Sequence, residues 1–144
     1  MKLAWILWLT QVLPQPTADH LCLATTVYLE ARNQTELGQR AVAEVALRRL
    51  ETGRWGQDVC AVVRAPRQFA PTLVHPGFRF RNLKAWNRAV NVAFEARSEW
   101  SRPLPERRQV VPGADHFVAH DIASPTWAAG PPVARIGDHS FYRL

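Results

Sequence analysis

Asp115-His116-Phe117-Val118-Ala119-His120 and Val133-Ala134-Arg135-Ile136-Gly137-Asp138-His139-Ser140-Phe141-Tyr142 decide the fold class of this chain. Both stretches are short, aromatic and β-branched, and Pro125 with Gly130-Pro131-Pro132 separates them, so each reads as a strand. Upstream the period changes. Leu37, Ala41, Val42, Val45 and Leu50 return every three to four residues through a segment rich in Ala, Glu and Arg that stops at Gly53, the clearest helix in the sequence. Leu21, Thr25, Tyr28 and Leu29 mark an earlier helix over 19–32, with Asp19 placed to cap it. Asn82 can cap a third, with Leu83, Trp86, Val90, Ala93 and Phe94 on its buried side. Asp58 to Val63 is a short apolar piece ending before Pro66, and residues 65–81 show no period, which reads as a long loop of the kind compact domains keep for function. Helices followed by strands give an α+β domain with its helices segregated from a small antiparallel sheet.

The chain has 144 residues, room for one domain. Its 47% apolar and 21% charged residues exclude the disordered class, and no uninterrupted apolar run is long enough for a membrane-spanning helix. With 18 Lys+Arg against 12 Asp+Glu the formal charge is +6, a field that attracts polyanions. The arginines are scattered, without a run of basic residues, which argues against nucleic acid as the partner.

Lys2, the apolar Leu3-Ala4-Trp5-Ile6-Leu7-Trp8-Leu9 and the breaker-rich Pro14-Gln15-Pro16-Thr17-Ala18 follow the order of a secretory signal. Residues 1–18 are therefore expected to be a signal peptide or a membrane-tethering start, and 19–144 the functional domain, secreted or periplasmic. Two thiols are too few for a disulfide scaffold or a four-cysteine zinc site. In an oxidising compartment Cys22 and Cys60 make a sensible disulfide between the first helix and the segment after the second; two free buried thiols are the alternative.

Among candidate chemical groups Glu30 stands out, at the end of an otherwise uncharged helical stretch beside the loop at Asn33. A cleft-lining carboxyl group makes a good general acid, because an apolar wall raises its pKa toward neutrality. Glu95 repeats the Glu-Ala-Arg tripeptide among neighbouring charges and reads as a solvated helix end. Glu44 reads as a polar-face residue of its helix, or else as a cleft carboxylate. His116 and His120 in a strand lie about 13 Å apart, too far for one metal ion, so no metal or other cofactor is expected. His116 and His139 instead line a cleft or close polar networks behind it.

Together, Tyr28-Leu29-Glu30-Ala31-Arg32, Gly38-Gln39-Arg40-Ala41-Val42-Ala43-Glu44-Val45, Val59-Cys60-Ala61-Val62-Val63, Gln68-Phe69, Ala114-Asp115-His116-Phe117, Pro125-Thr126-Trp127 and Arg135-Ile136-Gly137-Asp138-His139-Ser140-Phe141-Tyr142 resemble the SleB-type cell-wall hydrolases. Leu29 stands where that family has His, and Arg48-Arg49 where it has Asn-Arg. The resemblance implies a lysozyme-like helical core with a small sheet, acting as a monomer on the glycan strands of peptidoglycan. It implies Glu30 as the catalytic acid; Tyr28, Arg32, Gln68, Phe69, His116 and His139 are the candidates for binding sugar or orienting the acid. A lytic transglycosylase needs only one such carboxyl group. A hydrolysing muramidase would add a second, Glu44 or Asp115, and a non-catalytic basic module that binds wall or nucleic acid would need none. Compactness with its own export signal favours a phage lysis enzyme over a wall remodeller or a germination enzyme.

Overall fold

Helix α2 (Gln15–Ala31) is the axis about which the other helices pack. A computed structural model describes residues 1–66 and 68–144. Helix α1 (Leu3–Val12), α3 (Glu36–Thr52), the short α4 (Val59–Arg64) and α5 (Leu83–Trp100) all lie against α2. Every residue of α2 from Cys22 to Tyr28 is buried, as expected of a helix surrounded by neighbours.

Local chemistry sets the helix limits. The Thr35 hydroxyl accepts from Gly38 N–H, Asp58 from Ala61 N–H and Asn82 from Ala85 N–H, satisfying donors that an open first turn leaves free. α3 stops at Gly53, whose φ of 72° is left-handed, a conformation open to glycine at little strain. Asp19 does not cap α2. The helix begins four residues earlier with Pro16 in its first turn, where a missing N–H is harmless, and Asp19 instead accepts from Cys60 N–H at 3.2 Å, tying α2 to α4.

The buried side of α5 also differs from its reading. Ala85, Ala89, Val92, Ala93 and Ala96 face the core, while Leu83 and Phe94 are each 66% exposed. Small side chains let α5 approach α2 and α3 closely, and that close approach outweighs burial of the larger residues on the neighbouring face.

Three strands form, one more than expected. β1 (His116–Ala119), β2 (Ala134–Ile136) and β3 (His139–Tyr142) make an antiparallel sheet in the order β1-β3-β2. The stretch 133–142 folds back on itself at Gly137-Asp138, with Gly137 at φ 56°, a two-residue hairpin connection. Gln34 clamps that turn: its amide donates to Asp138 Oδ2 at 2.8 Å, and its Oε1 accepts from Asp138 N–H at 3.0 Å. The sheet is thereby fixed to the loop that leaves α2.

Residues 1–18 fold with the remainder. Leu3 and Ile6 are fully buried, and Leu3 N–H and Ala4 N–H donate to the carbonyls of Phe78 and Pro76. The 18/19 junction lies inside α2.

Cys22 and Cys60 form a disulfide, closing a loop of 38 residues between α2 and α4. Loop-closure entropy for that separation is worth about 4 kcal/mol. The Cys22→Ser/Cys60→Ser double variant is expected to lose most of that stability, and denaturant unfolding of the oxidised chain against the variant measures it.

Candidate active site

Because α2 is enclosed along its length, only its ends meet solvent, and Glu30 occupies the last turn. The residue is half-buried, and its Oε1 accepts from Ala70 N–H at 2.6 Å. Burial pushes the Glu30 pKa above its ordinary value, outweighing the Ala70 N–H and the Arg49 charge, which pull it down. The negative end of the α2 dipole also disfavours the ionised form.

Arg49 holds the far side of this site. It is 4% exposed, its Nε donates to the Asp115 carbonyl at 2.7 Å, and Nη1 donates to Gln68 Oε1 at 3.1 Å. The guanidinium lies 4.9 Å from the ring centres of both Trp55 and Phe69. Burial brings its pKa down to about 10, which leaves it charged at neutral pH. Next along, Asp115 Oδ1 accepts from Leu144 N–H at 3.0 Å and lies 2.8 Å from His116 Nδ1. The His116 ring is flanked by Trp127 and Trp55, at 5.1 and 6.1 Å.

The expected site residues thus divide into two groups. Glu30, Gln68, Phe69 and His116 come together, linked through Arg49, Ala70 and Asp115. Apart from that group, the Arg32 guanidinium sits 5.2 Å from the Tyr28 ring and 5.4 Å from Phe78. Tyr28 and Phe69 are buried, so neither offers a ring face to a ligand; they form walls, Tyr28 within a cluster with Phe80 and Trp86. His139 lies on the inner face of the sheet against Phe117, and burial holds its pKa below the ordinary imidazole value. Its Nδ1 has no partner among the described residues.

Two carboxylates besides Glu30 are committed elsewhere. Glu44 belongs neither to a polar face nor to a cleft: it is buried, both oxygens accept from Val110 N–H and Oε1 also from Val111 N–H, and Arg48 lies 3.8 Å away. It anchors the segment after α5 to α3. Asp115 orients His116 and the C-terminal residue as described.

Arg49 is the residue that sequence reading missed. It falls in register with Gly38, Val42 and Val45 on the buried side of α3, and a cation at such a position needs built partners; that, with the arginine of the Asn-Arg pair that the resemblance matches at position 49, was the available signal. A separate cleft lined by Leu37, Arg40, Phe94 and Arg108 among others shares no residue with this cluster.

A family model described as cell wall hydrolase matches residues 33–142, a span that begins just beyond Glu30. Among solved structures, the chain is similar to the catalytic domain of the germination-specific lytic transglycosylase SleB from Bacillus anthracis, with 26% identity over 87% of this chain and 93% of that one and a TM-score of 0.69. It is also similar to the catalytic domain of the Bacillus cereus SleB protein, with 25% identity over 87% and 89% and a TM-score of 0.65. Among curated proteins, none matches.

Two outcomes follow from the carboxylates. Truncating Glu44 strands buried N–H groups and Arg48, so Glu44→Ala is expected to lose about 3 kcal/mol of stability in a denaturant titration. Glu30 acts oppositely. The unfolded chain ionises it near 4.5 and the folded chain only at higher pH, so the folded state binds more protons in that window and its stability falls as pH rises. Gln does not titrate; the melting temperature of Glu30→Gln should therefore gain on the parent as the pH rises from the ordinary carboxylate range. An unchanged difference between the two proteins would contradict the raised pKa.

Proposed function

The chain belongs to the cell wall hydrolase family, and from that premise we propose that it degrades peptidoglycan as a lytic transglycosylase with Glu30 as the sole acid and base. In this reading the protonated Glu30 gives its proton to the glycosidic oxygen between N-acetylmuramic acid and N-acetylglucosamine. The resulting carboxylate then takes the proton of the muramic acid C6 hydroxyl, whose oxygen closes onto C1 as a 1,6-anhydro ring. The bond to the leaving sugar breaks, the ring bond forms, and no water is consumed. One group must serve both halves, which is best met by a pKa near the working pH.

The observation that carries this reading is the balance of forces on one carboxyl group. Burial keeps Glu30 able to hold a proton, while Ala70 N–H and Arg49 keep its ionised form tolerable. A hydrolysing muramidase would require a second carboxylate free to position water. Both Glu44 oxygens are taken by backbone N–H groups, and Asp115 Oδ1 is engaged with Leu144 and His116, which favours the single-carboxyl route. In this reading Gln68, His116 and Arg32 are the polar groups that meet the sugar strand. The disulfide supports action outside the reducing cytoplasm.

Glu30→Gln should cut the clearing of purified sacculi by roughly 10²-fold or more while leaving wall binding intact. Mass spectrometry of the products released by the parent enzyme should show glycan ends lighter by one water than reducing ends. Reducing ends alone would establish hydrolysis instead, and full activity of the variant would remove Glu30 from the chemistry.

A further inference from the structure

α1 is apolar on both sides, but only one side has a neighbour. Leu3, Ile6 and Thr10 are buried against the body, whereas Trp5, Trp8 and Val12 form a stripe at i, i+3 and i+7 on the opposite face, with Trp5 61% and Trp8 60% exposed. A helix without a polar face normally has apolar surroundings on every side.

A basic pair stands at the start of this helix. Lys2 and Arg79 stand directly opposite one another in an isolated antiparallel bridge, and facing cations are unfavourable unless an anion neutralises them. Neither makes an ion pair among the described residues. Residues 1–18 and 71–84 hold no Asp or Glu, and Arg81 and Lys84 follow on the surface.

We propose that the outer face of α1 seats the domain on an anionic membrane surface. Tryptophan suits that boundary, since its ring is apolar and its N–H can meet headgroups. With ten residues, α1 is about 15 Å long, half of the about 30 Å hydrocarbon thickness, so it lies in the interface and does not span it. Lys2, Arg79, Arg81 and Lys84 complement anionic headgroups. A second copy packed through the same face about a two-fold axis would bring this basic pair against itself, which is why lipid is the occupant assigned. The inference is independent of the reaction assigned to Glu30.

The test is co-sedimentation of the full chain with phosphatidylglycerol/phosphatidylethanolamine vesicles and with phosphatidylcholine vesicles. Binding to the anionic vesicles is expected, at least tenfold weaker to phosphatidylcholine and weakened by added salt. Trp5→Ala/Trp8→Ala and Lys2→Gln/Arg79→Gln should each reduce it at least tenfold, with clearing of membrane-free sacculi unchanged. Trp5 and Trp8 are solvent-facing, so the first variant should melt as the parent does; were either variant to misfold, the comparison of the two lipids with the parent still decides. Absence of vesicle binding would overturn the proposal. So would a dimer dissolved by the tryptophan variant, which assigns the face to a second copy, or exported material beginning at Asp19, which would show that α1 is discarded.

Discussion

Enclosure of α2 is the constraint from which the rest follows. Four helices surround it and a disulfide near its middle fixes α4 to it, so the helix has no lateral surface to offer a ligand between Cys22 and Tyr28. Whatever chemistry it carries must emerge at a terminus. Glu30 does so in the final turn, where backbone carbonyls point outward and a negative charge is least welcome. A carboxyl group in that place is inclined to keep its proton before any substrate arrives.

Arg49 supplies the opposing tendency, and the structure spends many contacts on holding it. It reaches from α3 to the Asp115 carbonyl, to Gln68, and between two aromatic rings. A guanidinium so restrained contributes a fixed field with little reorganisation, which is the condition under which electrostatic stabilisation acts most strongly on a charge that develops during reaction. The segment beginning at Ala70 then continues to Phe78 and Phe80, whose backbone groups bond the start of α1. The candidate acid and the apolar outer helix are thus joined by a single run of chain.

The helices were legible where a cap, a breaker and a large-residue period agreed, as in α3 between Thr35 and Gly53. They were misread where those signals competed. In α5, Trp86, Val90 and Ala93 do pack on the core, but Leu83 and Phe94 lie outside it and Ala85, Ala89 and Ala96 lie within it, because small side chains at a helix contact are passed over by a search for large apolar groups. The hairpin at Gly137-Asp138 was written in the sequence, but the residues on either side share the same strand chemistry and hid the turn. Glu30 was visible from its neighbours in the chain. Arg49 was not, because its partners lie 19 and 66 residues away and only folding brings them together.

The order β1-β3-β2 carries a consequence for how the molecule comes into being. The two outer strands touch the sheet only through β3, and β3 comes last of the three along the chain. The helices that carry Glu30 and Arg49 precede the sheet along the chain, and the strand start at Asp115 on which Arg49 leans is held by Tyr142, whose carbonyl accepts from Asp115 N–H. The completed electrostatic setting therefore appears only when Tyr142 has found His116. The central strand of the sheet thus steadies, across the molecule, the partner on which the buried arginine depends.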